Sequence, residues 1–271
     1  MLMLVPPEGD SERGGAGAAG GELPYLNVQR FLKARRLPVP EVHGWDPASR
    51  RIYHEDFGLL HLSASPGKYG EAVDLLAGMQ ERTAEPDPSC LAFHRAFDLP
   101  AIRLELSEFS EFGLPYVAKR AVPASLQSEL DGLARAVAAL PGRFSHRDYH
   151  GDNLLVRPNG ALGMIDFQDA FLAPAAYDLA SLLTDREAPD HLGWERIDEL
   201  ILRSGVPEPE FWLVALQRQM KVAGRFVSLE RRGKTGYFRY LPATWRVIAR
   251  ALPRAGMGGL KELLASVGAP V

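Results

Sequence analysis

The chain has 271 residues, 46% of them hydrophobic and 24% charged, with a net charge of −3. That length can bury a sizeable core, and so balanced a composition excludes a disordered chain and gives no sign of a nucleic-acid or anionic-membrane partner. No apolar run reaches the ~20 residues of a bilayer span, and the single cysteine, Cys90, cannot form an internal disulfide. A soluble protein of a reducing compartment, the cytoplasm, is expected.

Met1–Val5 reads as one apolar strand cut short by Pro6 and Pro7, with no basic residues before it to make a signal peptide. The glycine-rich stretch that follows includes Gly14–Gly21 but lacks the Gly-Lys-Ser/Thr ending of a phosphate-cradling loop, so a linker is expected. A helix is predicted over Leu26–Leu37, with Leu26, Phe31, Leu32 and Leu37 on one broad stripe, stopped by Pro38 and Pro40. Val39–Val42 and Arg51–His54 read as short strands around a turn at Asp46–Ser49.

Glu71–Glu81 is predicted helical, and Leu104–Arg120 is a further helix interrupted near Gly113 and Pro115. In Ser125–Leu140 the apolar residues Leu126, Leu130, Leu133, Val137 and Leu140 recur at spacings of four and three, which describes a core helix closed by Pro141-Gly142.

That helix delivers the chain to His146-Arg147-Asp148-Tyr149-His150-Gly151-Asp152-Asn153, followed by two apolar runs separated by Arg157-Pro158-Asn159-Gly160 and then by Ile165-Asp166-Phe167-Gln168-Asp169. The Pro/Asn/Gly cluster predicts a hairpin, and closing it brings Asp148, Asn153 and Asp166 to one end. Two carboxylates and an amide facing one volume suit Mg²⁺ and a nucleophilic hydroxyl beside a phosphate. Asp148 is the candidate base, Asn153 and Asp166 the candidate metal ligands, and Arg147 a brace for the loop backbone. His146 is expected to be structural. The rival reading takes His146, His150, Asp148 and Asp152 as transition-metal ligands of a metallohydrolase, but no later segment supplies a matching histidine.

Further on, Asp178 is expected to cap the helix Leu179–Thr184. Glu210–Leu229 is predicted helical, with Trp212, Leu216, Ala223 and Phe226 apolar and Gln217, Lys221 and Arg225 four apart on another, solvated face.

The His-Arg-Asp…Asn and Asp-Phe motifs, with Asp148 and Asp166 eighteen residues apart, resemble the catalytic and metal-binding loops of kinases. With Tyr177-Asp178-Leu179-Ala180 following, the chain is similar to the aminoglycoside-phosphotransferase branch. Ala215–Phe226, Ile165–Ala170, Gly233–Tyr237, Leu241-Pro242 and Val5–Glu8 resemble segments of the anomeric N-acetylmuramate/N-acetylglucosamine kinases.

The resemblance implies an α+β, protein-kinase-like two-lobe fold. Residues 1–58 would form a reduced, strand-containing nucleotide-binding lobe that starts near the family's third strand. Residues 59–271 would form a mainly helical lobe with the catalytic and substrate residues. The resemblance further implies ATP and Mg²⁺ as cofactors and a small sugar or alcohol as substrate, with adenine held by backbone groups of Glu55, Asp56 and Phe57. Asp178 would brace the catalytic loop, and Asp169, Lys221 and Arg225 are candidate substrate contacts. The alternatives are a nucleotide-sensing module without turnover, or a kinase for another small alcohol such as an aminoglycoside, choline or homoserine.

Overall fold

The computed structural model describes residues 1–4, 22–186 and 188–271; the expected glycine-rich linker and the Val5–Glu8 resemblance lie outside them. In chain order the elements are β1 (Leu2–Leu4), α1 (Pro24–Ala34), β2 (Val42–Asp46), β3 (Arg51–His54), α2 (Tyr69–Arg82), α3 (Leu99–Glu108), a π-helical turn (Phe109–Gly113), α4 (Leu114–Val117) and α5 (Leu126–Ala138). There follow β4 (Gly142–Ser145), β5 (Leu154–Val156), β6 (Leu162–Met164), β7 (Phe171–Pro174), α6 (Ala176–Thr184), α7 (Ala188–Leu192), α8 (Trp194–Ser204), α9 (Glu208–Arg231), α10 (Leu241–Arg254) and α11 (Gly258–Ser266). No helix among the described residues is long and apolar enough to cross a membrane.

The chain divides into two compact units, one made of residues 1–96 and 143–172, the other of 97–142 and 173–271. This grouping differs from the expected lobes at residue 58, because the segment around residues 143–172 packs with the N-terminal residues.

In the first unit β1, β3 and β2 form an antiparallel sheet in that order, with Met3 opposite Ile52 and Trp45 opposite Ile52 on the other side. Along β3 exposure alternates, Ile52 and His54 inward and Arg51 and Tyr53 outward, as a one-sided strand requires. Asp46 shapes the β2–β3 turn, its Oδ1 accepting the Ala48 and Ser49 amides at 3.0 and 3.4 Å. The expected strand at Val39–Val42 instead begins at Val42, since Pro40 has no amide to give a ladder.

Helix α1 ends at Ala34, three residues before the expected stop, and Arg36 takes a left-handed backbone with φ 55°. Leu37 stays buried outside the helix. The helix core is aromatic: Phe31 stacks on Phe144 at 5.3 Å, and Tyr25 stacks on Phe167 at 5.0 Å. Thus α1 packs against residues on either side of the central motif. Buried Asn27 is satisfied by donating to the Ser89 carbonyl and accepting the Leu91 amide. Nearby Cys90 is buried, which pushes its thiol pKa up, so it is packing rather than a nucleophile.

The second unit is helical and built on α9, whose Phe211, Trp212, Leu216, Met220, Ala223 and Val227 are buried. Helices α3, α5, α6 and α10 pack on it. Its closest approach is at Gly224, where a Cβ would lie 2.2 Å from the Glu108 carbonyl oxygen, and at Gly113, where one would lie 2.9 Å from the Gly224 nitrogen. The π-helical turn sits at that crossing, which accounts for the interruption expected near Gly113.

Candidate active site

The hairpin forms as its sequence dictates. β5 and β6 pair antiparallel with Leu154 opposite Met164 and Val156 opposite Leu162. The Arg157 amide donates to the Ala161 carbonyl, the Gly160 amide donates back to that of Arg157, and Gly160 adopts φ 82°, a conformation that favours glycine. At the open end the Ile165 amide donates to the Asn153 carbonyl at 3.0 Å, fastening the start of the Asp166 segment to the end of the catalytic loop.

Asn153, Asp148 and Asp166 therefore meet. The Asn153 amide nitrogen donates to the Asp148 main-chain carbonyl at 2.9 Å and lies 3.4 Å from Asp166 Oδ2. With its nitrogen committed, Asn153 keeps its Oδ1 as the atom for a cation. Asp166 is exposed, and its Oδ1 accepts Gln168 Nε2 at 2.7 Å. The donor set is oxygen only, one charged and one neutral, and it fits a hard divalent cation such as Mg²⁺.

Two of these positions carry an uncommon backbone: Arg147 at φ 79° and Asp166 at φ 64°. Non-glycine residues in this region cost ~1–3 kcal/mol each and concentrate at functional sites. The Arg147 guanidinium lies 5.3 Å over the Phe171 ring, bridging the loop and the strand beyond Asp166.

His146 is fully buried, with the Tyr149 and Phe167 rings edge-on at 5.7 and 6.5 Å. Burial lowers its pKa to about 4 against the opposing pull of the Asp148 and Asp166 charges, so it is neutral at pH 7. Its burial between these rings suits a structural role.

The sign of the pH dependence follows. His146 contributes stability that is intact above its unfolded pKa of 6.5 and lost as pH falls toward about 4. The deficit there reaches ~3 kcal/mol, at 1.36 kcal/mol per pKa unit. In denaturant titrations the stability gap between wild type and His146→Gln should shrink by that amount between pH 7 and 4. An equal gap at both pH values would contradict it.

The Glu55–Phe57 segment lies in the same unit. Glu55 Oε1 pairs with Arg157 at 2.9 Å, and the Arg157 guanidinium lies 4.5 Å over the Phe57 ring. Phe57 is buried against Gly163, where a Cβ would fall 2.3 Å from the ring. Its side chain is core, so any adenine contact here belongs to the backbone. Asp56 accepts the Gly58 amide at 2.9 Å in a tight turn.

Of the candidate substrate residues, Asp169 lies 4.0 Å from Arg95, whose Nη1 donates to the Gln168 carbonyl at 3.0 Å. Lys221 and Arg225 belong to the helical unit. Lys221 pairs with Glu105 at 3.1 Å and Arg225 with Glu108 at 3.6 Å, while fully buried Gln217 donates to Glu105 at 3.1 Å. Burial alone would raise the Glu105 carboxyl, but the Lys221 ammonium and the Gln217 amide outweigh it and hold its pKa low. The expected solvated face is thus an ion-pair seam with α3.

Asp178 also departs from expectation. It lies inside α6, which starts at Ala176, and is fully buried rather than capping the helix. Arg157 and Gln168, which orient Glu55 and Asp166, were not singled out as functional in the sequence; Gln168 stands within the Asp-Phe-Gln motif, whereas Arg157 had no signal beyond its place in the turn.

The sequence matches the phosphotransferase enzyme family (APH) over residues 13–203. It is 34% identical over 257 residues to the N-acetylmuramate/N-acetylglucosamine kinase of Neisseria meningitidis serogroup B, covering 85% of this chain and 75% of that one. To the enzyme of the same name from Pseudomonas aeruginosa it is 28% identical, covering 90% and 78%. Among solved structures, choline kinase LicA from Streptococcus pneumoniae superposes with a TM-score of 0.57 at 14% identity, covering 86% of this chain and 79% of that one. The fold is therefore that of the protein-kinase-like phosphotransferases.

Proposed function

Because the chain belongs to the phosphotransferase enzyme family, we propose that it transfers the γ-phosphoryl group of ATP to the anomeric hydroxyl of an amino sugar, N-acetylmuramate or N-acetylglucosamine. The observation that carries this reading is the similarity to kinases of that specificity over 85–90% of the chain, joined to a hairpin end that assembles Asp148, Asn153 and Asp166.

Asp148 accepts the proton of the attacking hydroxyl as the new O–P bond forms and the bond to the leaving ADP oxygen breaks. Asn153 and Asp166 would hold Mg²⁺, which would supply charge neutralisation for the nucleotide phosphates. Asn153 also fixes the Asp148 backbone, so base and metal positions are set together. Arg147 braces the loop, and the backbone of Glu55, Asp56 and Phe57 contacts adenine.

Asp169 is assigned to the sugar, where its carboxylate suits a hydroxyl; Lys221 and Arg225, engaged by Glu105 and Glu108 within the helical unit, are given no sugar contact. We place the reaction in the cytoplasm, where ATP is at hand.

³¹P NMR of the purified chain with Mg·ATP and each sugar tests the assignment. The expected result is a sugar-1-phosphate signal that is absent with Asp148→Asn. Phosphate on choline or an aminoglycoside but on neither sugar would overturn the substrate assignment; nucleotide binding without turnover on any of these acceptors would leave a sensor.

A further inference from the structure

The segment that follows Phe57 is laid along the catalytic hairpin. The Val156 amide donates to the Leu60 carbonyl at 2.7 Å, and His61 bridges Leu155 in antiparallel fashion. Two residues on, the Ser63 amide donates to the Gly151 carbonyl at 3.2 Å, and the Ser63 hydroxyl donates to Asp152 Oδ1 at 2.8 Å. His61 Nδ1 lies 2.6 Å from the Asp152 carbonyl. A carbonyl only accepts, so that nitrogen carries the proton.

His61 thus makes a single antiparallel bridge to β5, and the 3₁₀ turn Leu62–Ala64 that follows it closes a clamp on Gly151 and Asp152. The approach is tight: a Cβ on Gly151 would lie 3.0 Å from the Ser63 amide nitrogen, from Ser63 Cβ and from the Tyr69 hydroxyl, so a side chain there would press on the clamp. Tyr149 fastens the other side of the loop by donating to the Ala72 carbonyl of α2 at 2.7 Å.

We propose that Ser63, acting through Asp152, is a positioning residue for the catalytic loop. Asp152 stands between Asp148 and Asn153 and directly before the latter. The Asn153 amide in turn holds the Asp148 carbonyl, so a displacement at 152 reaches both the base and a metal ligand. The clamp has a second consequence. Eight residues before Ser63 lies Glu55, the start of the segment assigned to adenine, itself tied to the hairpin through Arg157. The nucleotide-contacting segment and the catalytic loop are therefore fastened to the same hairpin by one continuous stretch of chain. This inference rests on the phosphotransferase reading for its catalytic meaning, while the clamp itself is a statement of geometry.

The test compares wild type, Ser63→Ala and Ser63→Thr in the full chain by steady-state kinetics and by amide hydrogen exchange over residues 148–153. Loss of a hydrogen bond to a charged group should lower kcat of Ser63→Ala by about 10-fold and speed loop exchange by about 10-fold. KM for ATP should change less than about 2-fold, and the thermal midpoint should stay near that of wild type, since few buried contacts are lost. Ser63→Thr, which keeps the hydroxyl, should return kcat to within about 3-fold of wild type. Unchanged kcat and exchange in Ser63→Ala, or no recovery with Ser63→Thr, would overturn the proposal. Exchange needs no sugar, so accelerated exchange alongside a wild type without turnover would count against the functional reading and leave the clamp standing.

Discussion

Asp148→Asn is expected to lower turnover by ~10²- to 10⁴-fold, the usual worth of a positioned general base. The substitution keeps size and shape and removes only the proton acceptor. Two contacts that order the loop at this residue come from its main chain: the carbonyl accepts the His150 amide at 3.1 Å and the Asn153 side chain at 2.9 Å. Both survive in the variant, so the fold and the KM for Mg·ATP should hold within about twofold. Sugar phosphate formation followed by ³¹P NMR, with a thermal melt as control, checks this. Turnover within about tenfold of wild type would remove Asp148 as the base.

Asp166→Ala should cost ~10²- to 10³-fold in kcat/KM, because losing an anionic ligand weakens the hold on the cation that would offset the developing negative charge. The variant loses the only carboxylate in the Asn153–Asp166 pair and strands the Gln168 amide that it accepted. Part of the loss should return as the Mg²⁺ concentration is raised, because the remaining oxygen of Asn153 still offers a weakened site. Titrating Mg²⁺ in the kinetic assay reads both effects. A variant whose activity and Mg²⁺ dependence match wild type would exclude Asp166 as a ligand.

What the sequence disclosed of this site was local. The turn at Arg157–Gly160 sits in the chain beside the strands it joins, so its chemistry fixes the register, and the hairpin carries Asp148, Asn153 and Asp166 to one end. The stripe of Leu126, Leu130, Leu133 and Val137 is likewise a property of one helix, and all four are buried. The left-handed backbones of Arg147 and Asp166 left no trace, because neither residue type announces that conformation and the surrounding packing imposes it.

Pairings between distant segments were also invisible. Nothing in Leu60–Ser63 suggests that Leu60 and His61 meet Val156 and Leu155 or that Ser63 meets Gly151 and Asp152, since the partners lie about ninety residues away. The acids facing Lys221 and Arg225 sit on another helix, so a face that looks solvated in isolation became an ion-pair seam. Asp178 was misplaced for a related reason. Its acidic side chain suits a helix start, but the helix begins two residues earlier and tertiary burial overrides that preference.

The discontinuity of the two units bears on how the protein is made. The first unit is not complete on the ribosome until Leu172 has emerged, by which time α3 and α5 are already outside. Their apolar faces, with Ile102, Leu106, Leu130 and Leu133, must wait for α9 to be synthesised through Arg231. At ~5–20 residues per second that interval is roughly 3–12 s, long compared with the collapse of a small chain. For those seconds the nascent protein has α3 and α5 able to pack on each other but lacking the α9 surface that completes their burial, a window in which chaperone capture competes with aggregation.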